Sequence, residues 1–178
     1  HVLTLHAGDF ARFPGIVEQA KVMVPRLKQA GCDLVIVSCH SGARPGSSYG
    51  DALPFPENAS RQLAEAVAGV DAVLVGHAHE EIPQLFVPST VTPGKNVLLS
   101  EPAKWGMRLS VMDFDLEFIK GRWQLAAAHS HVLNANTVPE DPAVADLVRD
   151  DHAIVRTYVN SVIGRCTVAM SAATARFE

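Results

Sequence analysis

The sequence predicts an α/β fold built around a parallel sheet, and three observations predict it. An eight-residue pattern occurs twice, as Ala30-Gly31-Cys32-Asp33-Leu34-Val35-Ile36-Val37 and as Ala68-Gly69-Val70-Asp71-Ala72-Val73-Leu74-Val75. Each copy follows a helix-like stretch, residues 15–29 in the first case and 57–67 in the second. The apolar runs at 34–37 and 72–75 lack alternation, as do strands buried on both faces of a parallel sheet. Helix, glycine, aspartate and buried strand, twice over, is the alternation from which α/β domains are built.

In the first helix Ile16, Val17, Ala20, Met23, Val24 and Leu27 recur at helical spacing. Pro25 within it marks a kink or an early stop. Gly31 and Gly69 suit the left-handed position that ends a helix. Residues 38–56 are rich in glycine, proline and serine and read as a loop, of the long kind that is usually functional. Beyond the second copy, 96–100 reads as a short strand. Residues 108–117 and 122–133 read as a strand pair turning at Lys120-Gly121. Pro139-Glu140-Asp141-Pro142 then opens a helix, with Asp141 as its cap and Pro142 at the first helical position. That helix carries Val144, Leu147, Val148, Ile154, Val155 and Val159 and ends before Gly164. Residues 165–178 complete no unit and read as the start of a further domain.

Apolar residues make up 48% of the chain, which argues against disorder. A net charge of −4, with scattered Lys and Arg, argues against a nucleic-acid polymer or an acidic membrane surface as partner. No apolar run approaches the ~20 residues of a membrane helix. Cys32, Cys39 and Cys166 have no C-x-x-C spacing, against both a disulfide framework and a thiolate zinc cage. Cys32 and Cys39, beside an apolar run, read as core thiols. The chain opens on His1 rather than methionine and is expected to be a segment of a longer polypeptide.

The chemistry lies in the histidines. In open parallel sheets, ligands gather beyond the carboxyl ends of the strands. His40 follows the first repeated strand and His77 the second. If the two strands are neighbours, their ends lie about 5 Å apart. His79 is two residues beyond His77, so in an extended segment both rings would project to one side. Three neutral imidazoles at one sheet edge suit a divalent transition metal. Gly42 and Gly76 allow tight turns beside them. His129 and His131 share the H-x-H spacing but fall inside the strand pair and read as structural.

Ser38-Cys39-His40-Ser41-Gly42 and Gly76-His77-Ala78-His79 resemble the last two metal-binding motifs of calcineurin-like metallophosphoesterases. Residues 69–79, with Glu101-Pro102-Ala103-Lys104-Trp105-Gly106-Met107-Arg108-Leu109 and Asp113, resemble the bacterial 5'-nucleotidase and 2',3'-cyclic-nucleotide 2'-phosphodiesterase branch. The helix from Asp141, ending near Asn160-Ser161-Val162-Ile163-Gly164, resembles the linker that joins that catalytic domain to a nucleotide-binding domain. The resemblance implies part of a metallophosphoesterase β-sandwich flanked by helices, with a C-terminal linker helix. Residues 1–138 would be the C-terminal half of the catalytic domain, 139–164 the linker, and 165–178 the start of a C-terminal nucleotidase domain.

The same resemblance implies hydrolysis of nucleotide phosphoesters, on 2',3'-cyclic nucleotides and 3'-nucleotides or, alternatively, on 5'-nucleotides. His40 and His77 would ligate one divalent ion and His79 a second, the metals being Zn, Mn, Fe, Co or Ca. The setting would be extracellular, periplasmic or cell-wall. The family's earlier motifs, D-x-H, G-D-x-x-D and G-N-H-D/E, do not occur in these residues, and His6-Ala7-Gly8-Asp9 matches none of them. Asp51, Glu80, Glu81 and Glu101 match no family ligand and read as loop charges. The isolated segment is therefore expected to be inactive, and to pair with a second copy or with the rest of its own chain. Two rivals stand beside this reading: a zinc hydrolase acting on an amide or ester, and a binding module that keeps the fold without the chemistry.

Overall fold

A computed structural model describes residues 14–46, 55–165 and 167–168. His6–Asp9, Asp51, Cys166 and nearly all of the proposed beginning of a further domain lie outside the described residues. The chain divides into two compact units, one through Thr137 and one from Val138 onward.

The first unit begins with helix α1, Ile16–Gln29, which ends through Ala30 at Gly31, a residue in the left-handed region at φ 96°. Pro25 does not stop it, and the helix runs a further turn. Strand β1 is Ile36–Cys39, helix α2 is Ser60–Ala66, and strand β2 is Ala72–Val75. After them come β3, Glu81–Pro88, and β4, Asn96–Pro102. These four strands form one sheet in the order β1-β2-β4-β3, with β1, β2 and β4 parallel and β3 antiparallel to β4. The core lies between this sheet and the helices and includes Val17, Val24, Leu63, Val70, Val73, Val97 and Leu99.

The two aspartates of the repeat do different work. Asp71 is buried. Its Oδ2 accepts from the Val35 N–H at 2.8 Å and faces Lys28 Nζ, while Oδ1 accepts from Lys95 Nζ at 2.6 Å. One carboxylate thus ties α1 and the approach to β4 to the entry of β1. Asp33 instead accepts from Arg122 Nε and the Trp123 N–H, and these bonds hold its carboxyl below the usual range.

Three expectations need correction. Neither repeated strand is buried on both faces: Ile36 on β1 is 44% exposed and Leu74 on β2 38%, because one face of this part of the sheet is only partly covered. α1 is likewise only partly covered, with Val17 and Val24 buried but Ile16, Met23 and Leu27 exposed. β3 was not anticipated at all. Pro83 and Pro88 argue against a strand, yet β3 is an edge of the sheet, where a missing N–H costs no ladder bond.

β5, Arg108–Ile119, and β6, Arg122–Asn134, form the expected hairpin, turning at Lys120 and Gly121, both with positive φ. The hairpin attaches to the main sheet through Ser100 Oγ to Ser110 Oγ at 2.8 Å and Ser130 Oγ to the Pro83 carbonyl at 2.7 Å. The second unit contains α3, Pro142–Val159, capped as expected: Asp141 accepts from the N–H groups of Ala143 and Val144.

Candidate functional site

The parallel pairing of β1 with β2 sets Cys39 opposite Val75. His40 is the next residue on one strand and His77 the second on the other. Their imidazoles meet edge to face, with ring centres 5.2 Å apart. Gly76 lies against the His40 ring, where a Cβ would make an ordinary van der Waals contact of 3.5 Å with His40 Nδ1. Two imidazoles bound tetrahedrally to one zinc at 2.0–2.1 Å have ring centres roughly 5 Å apart, so the spacing admits a shared ion. Among the described residues no group of three or more His, Cys, Asp or Glu side chains is gathered so as to hold a metal.

The segment 77–79 is not extended. His77 has φ 82° and His79 φ 60°, so the alternation that would send both rings to one side does not apply. Among the described ring contacts, His79 stands 6.3 Å from Trp105, which is 82% exposed and has Lys104 Nζ 4.2 Å from its centre. His129 lies on β6 with Nε2 3.3 Å from Asp113 on the facing strand, and its neighbour His131 is also on that strand; both belong to the hairpin.

The loop carrying His40 is fastened to the entry of α2. Ser41 is fully buried; its Oγ donates to the Glu57 carbonyl at 2.6 Å and accepts from the Ala59 N–H at 2.7 Å. The Gly42 N–H donates to Asn58 Oδ1 at 3.0 Å, and Ser60 Oγ donates to the Ser41 carbonyl at 2.6 Å. These bonds explain why α2 starts at Ser60 rather than 57: residues 57–59 are engaged by the histidine loop. They also bring the Glu57 carboxylate to His77, with Oε1 2.6 Å from Nε2. Sequence reasoning missed Glu57, which belongs to no motif.

Of the carboxylates read as loop charges, Glu80 does lie in a loop, where it pairs with Arg44, whereas Glu81, on β3, pairs with Arg108. Glu101 is fully buried on β4, beneath the turn that carries His77 and His79, where its Oε1 accepts from the Glu80 N–H. Burial pushes its carboxyl upward, and the charge of Glu80 adds to that. The N–H groups of Glu80, His79 and Ala78 pull in the other direction.

No family model matches the chain. It is 28% identical over 160 residues to the trifunctional nucleotide phosphoesterase protein YfkN of Bacillus subtilis, a match covering 84% of this chain and 10% of that protein. It is 29% identical over 163 residues to the 2',3'-cyclic-nucleotide 2'-phosphodiesterase/3'-nucleotidase of Salmonella typhimurium, covering 84% of this chain and 24% of that one. The chain thus spans a quarter or less of the curated relatives it matches. Among solved structures, the calcineurin-like phosphoesterase YfkN of Bacillus subtilis superposes with a TM-score of 0.61 at 28% identity, over 82% of this chain and 45% of that one. The 5'-nucleotidase precursor of Thermus thermophilus shares the fold, with a TM-score of 0.61 at 22% identity, over 84% of this chain and 29% of that one. The α/β sheet and the superposed structure agree on the fold, and over most of its length the chain is similar to calcineurin-like and nucleotide phosphoesterases.

Proposed function

We propose that the chain carries part of the catalytic domain of a metal-dependent phosphoesterase acting on nucleotides, with 2',3'-cyclic nucleotides and 3'-nucleotides as substrates. Residues 1–138 are then the C-terminal half of the catalytic domain, 139–164 the linker helix, and 165–178 the opening of a nucleotidase domain. The observation that carries this reading is the approach of His40 and His77, 5.2 Å apart, from the paired ends of two parallel strands. The relatives' names supply the substrate class.

His40 and His77 hold one divalent ion and His79 a second. When bound, such a pair activates water and clamps the phosphoryl oxygens. This chain's own residues orient the imidazoles from rigid strand ends. Lys104 and Trp105, beside His79, offer a cation and a flat apolar face at the rim. Neutral imidazoles do not offset the repulsion between two ions, so the bridging carboxylate, the asparagine ligand and a catalytic histidine come from polypeptide outside these residues. By the same likeness the protein works outside the cell, in the periplasm or at the cell wall. Its partners are the rest of its own chain or a second copy.

The test is hydrolysis of 2',3'-cyclic AMP with added Mn²⁺. A longer polypeptide containing the upstream segment should turn it over, and the 178 residues alone should not. In the longer polypeptide, His77→Ala or His79→Ala should lower kcat/KM by more than about 100-fold, beyond what loss of an outer-shell partner costs. His129→Ala should leave it within about twofold, as expected for an exposed pair with Asp113. Turnover by the 178 residues alone, or an equal loss from His129→Ala, would reject the reading.

A further inference from the structure

We propose that Glu57 is the positioning residue of this site: its carboxylate holds the Nε2 hydrogen of His77 and leaves Nδ1 as the nitrogen that takes the metal. The proposal rests on the reading of His40 and His77 as ligands of one ion. An ionised carboxylate only accepts hydrogen bonds, so at 2.6 Å the His77 Nε2 carries the hydrogen. A neutral imidazole then has its one free lone pair on Nδ1. Histidines that bind metals ordinarily donate their other ring N–H to a carboxylate or carbonyl, which sets the tautomer and the ring's orientation.

Glu57 is built for that task. Its side chain is only 11% exposed. Its carbonyl accepts from Ser41 Oγ, and the next two residues are bonded to Gly42 and Ser41. The peptide that presents the carboxylate to His77 is therefore stitched to the loop that presents His40. A displacement of either loop would move both rings. His77 also stands at φ 82°, a strained conformation that persists only where its surroundings over-determine it. The bond to Glu57 is one such determinant, acting on the side chain rather than the backbone.

The experiment uses the 178-residue chain labelled with ¹⁵N-histidine. Long-range ¹H–¹⁵N correlation spectra are recorded metal-free and through a Zn²⁺ titration, for the parent, Glu57→Gln and Glu57→Ala. Metal-free, His77 should be the Nε2–H tautomer in the parent and in Glu57→Gln, whose amide oxygen still accepts, and a mixture in Glu57→Ala. Zn²⁺ should shift Nδ1 of His77 in the parent. Its Kd should rise about 10–100-fold in Glu57→Ala, the usual cost of losing such a partner, and less in Glu57→Gln. Zn²⁺ taken through Nε2, or a tautomer and affinity unchanged in Glu57→Ala, would overturn the proposal while leaving the metal site standing. Zn²⁺ that perturbs neither His40 nor His77 in any of the three proteins would overturn the metal reading, and the proposal with it.

Discussion

Replacing Gly42 by alanine should loosen the site without touching a histidine. A Cβ at that position would lie 2.6 Å from Asn58 Oδ1 and 2.9 Å from the Cβ of Ala78. Neither neighbour moves easily. Asn58 is held twice, accepting from the Gly42 N–H and donating Nδ2 to the Gly46 carbonyl at 2.6 Å. Ala78 sits between His77 and His79, both in left-handed conformations. Overpacking of this kind costs about 1–3 kcal/mol, and the displaced Gly42–Asn58 bond about 1 kcal/mol more. Against that, alanine restricts the unfolded chain and returns about 0.4–1 kcal/mol, since Gly42 is not in a left-handed conformation. The net loss is about 1–3 kcal/mol. With a urea slope of about 2 kcal/mol/M, the unfolding midpoint should fall by roughly 0.5–1.5 M at unchanged slope. Zn²⁺ affinity should fall in parallel, because the same contact separates the two loops. Gly164→Ala, with open space around its Cβ, is the control and should not lower the midpoint. A Gly42→Ala protein that matches its parent in both midpoint and affinity would refute the close approach.

Asp71→Ala should destabilise the fold by about 2–4 kcal/mol, read as a lowered denaturation midpoint. It strands the Val35 N–H and takes the counter-charge from Lys28 and Lys95, whose partial exposure, with the Lys28 bond to the Asp33 carbonyl, keeps the cost below that of a fully buried pair. Glu101 predicts a pH dependence of definite sign. Its folded carboxyl is raised above the ordinary 4.5, so its contribution is fully present below that value and is lost as pH rises through the folded one. Glu101→Gln does not titrate. The parent's midpoint should therefore fall relative to that of the variant as pH rises from about 4. A difference between the two that stays constant with pH would rule out the raised carboxyl.

What could be read from the sequence and what could not divide along a physical line. The bounds of β2 were legible to the residue, because its apolar run is closed off by Asp71 and Gly76, although Leu74 within it is exposed. The cap at Asp141 and the turn at Lys120-Gly121 were legible because their causes are local. β3 was missed, and the faces of Ile36 and Leu74 misread, because edge position and face cover depend on what lies beside and upon each strand. That is a property of the assembled sheet, which no window along the chain contains. The site follows the same division. His40 and His77 could be placed because each sits at a fixed offset from a repeated strand. Glu57 could not, since it reaches His77 across 20 residues of sequence. The one signal available was the polar run of Glu57, Asn58 and Ser60 at the head of a helical stretch, and its use became visible only once Ser41 and Gly42 were bonded to it. Residues that touch the reacting centre are thus set by the strands that carry them, and residues that aim those side chains by contacts between loops. If Glu57 aims His77 as proposed, the region linking the two histidine strands is more than a connector, and substitutions at 57–60 should alter metal affinity while leaving β1 and β2 paired.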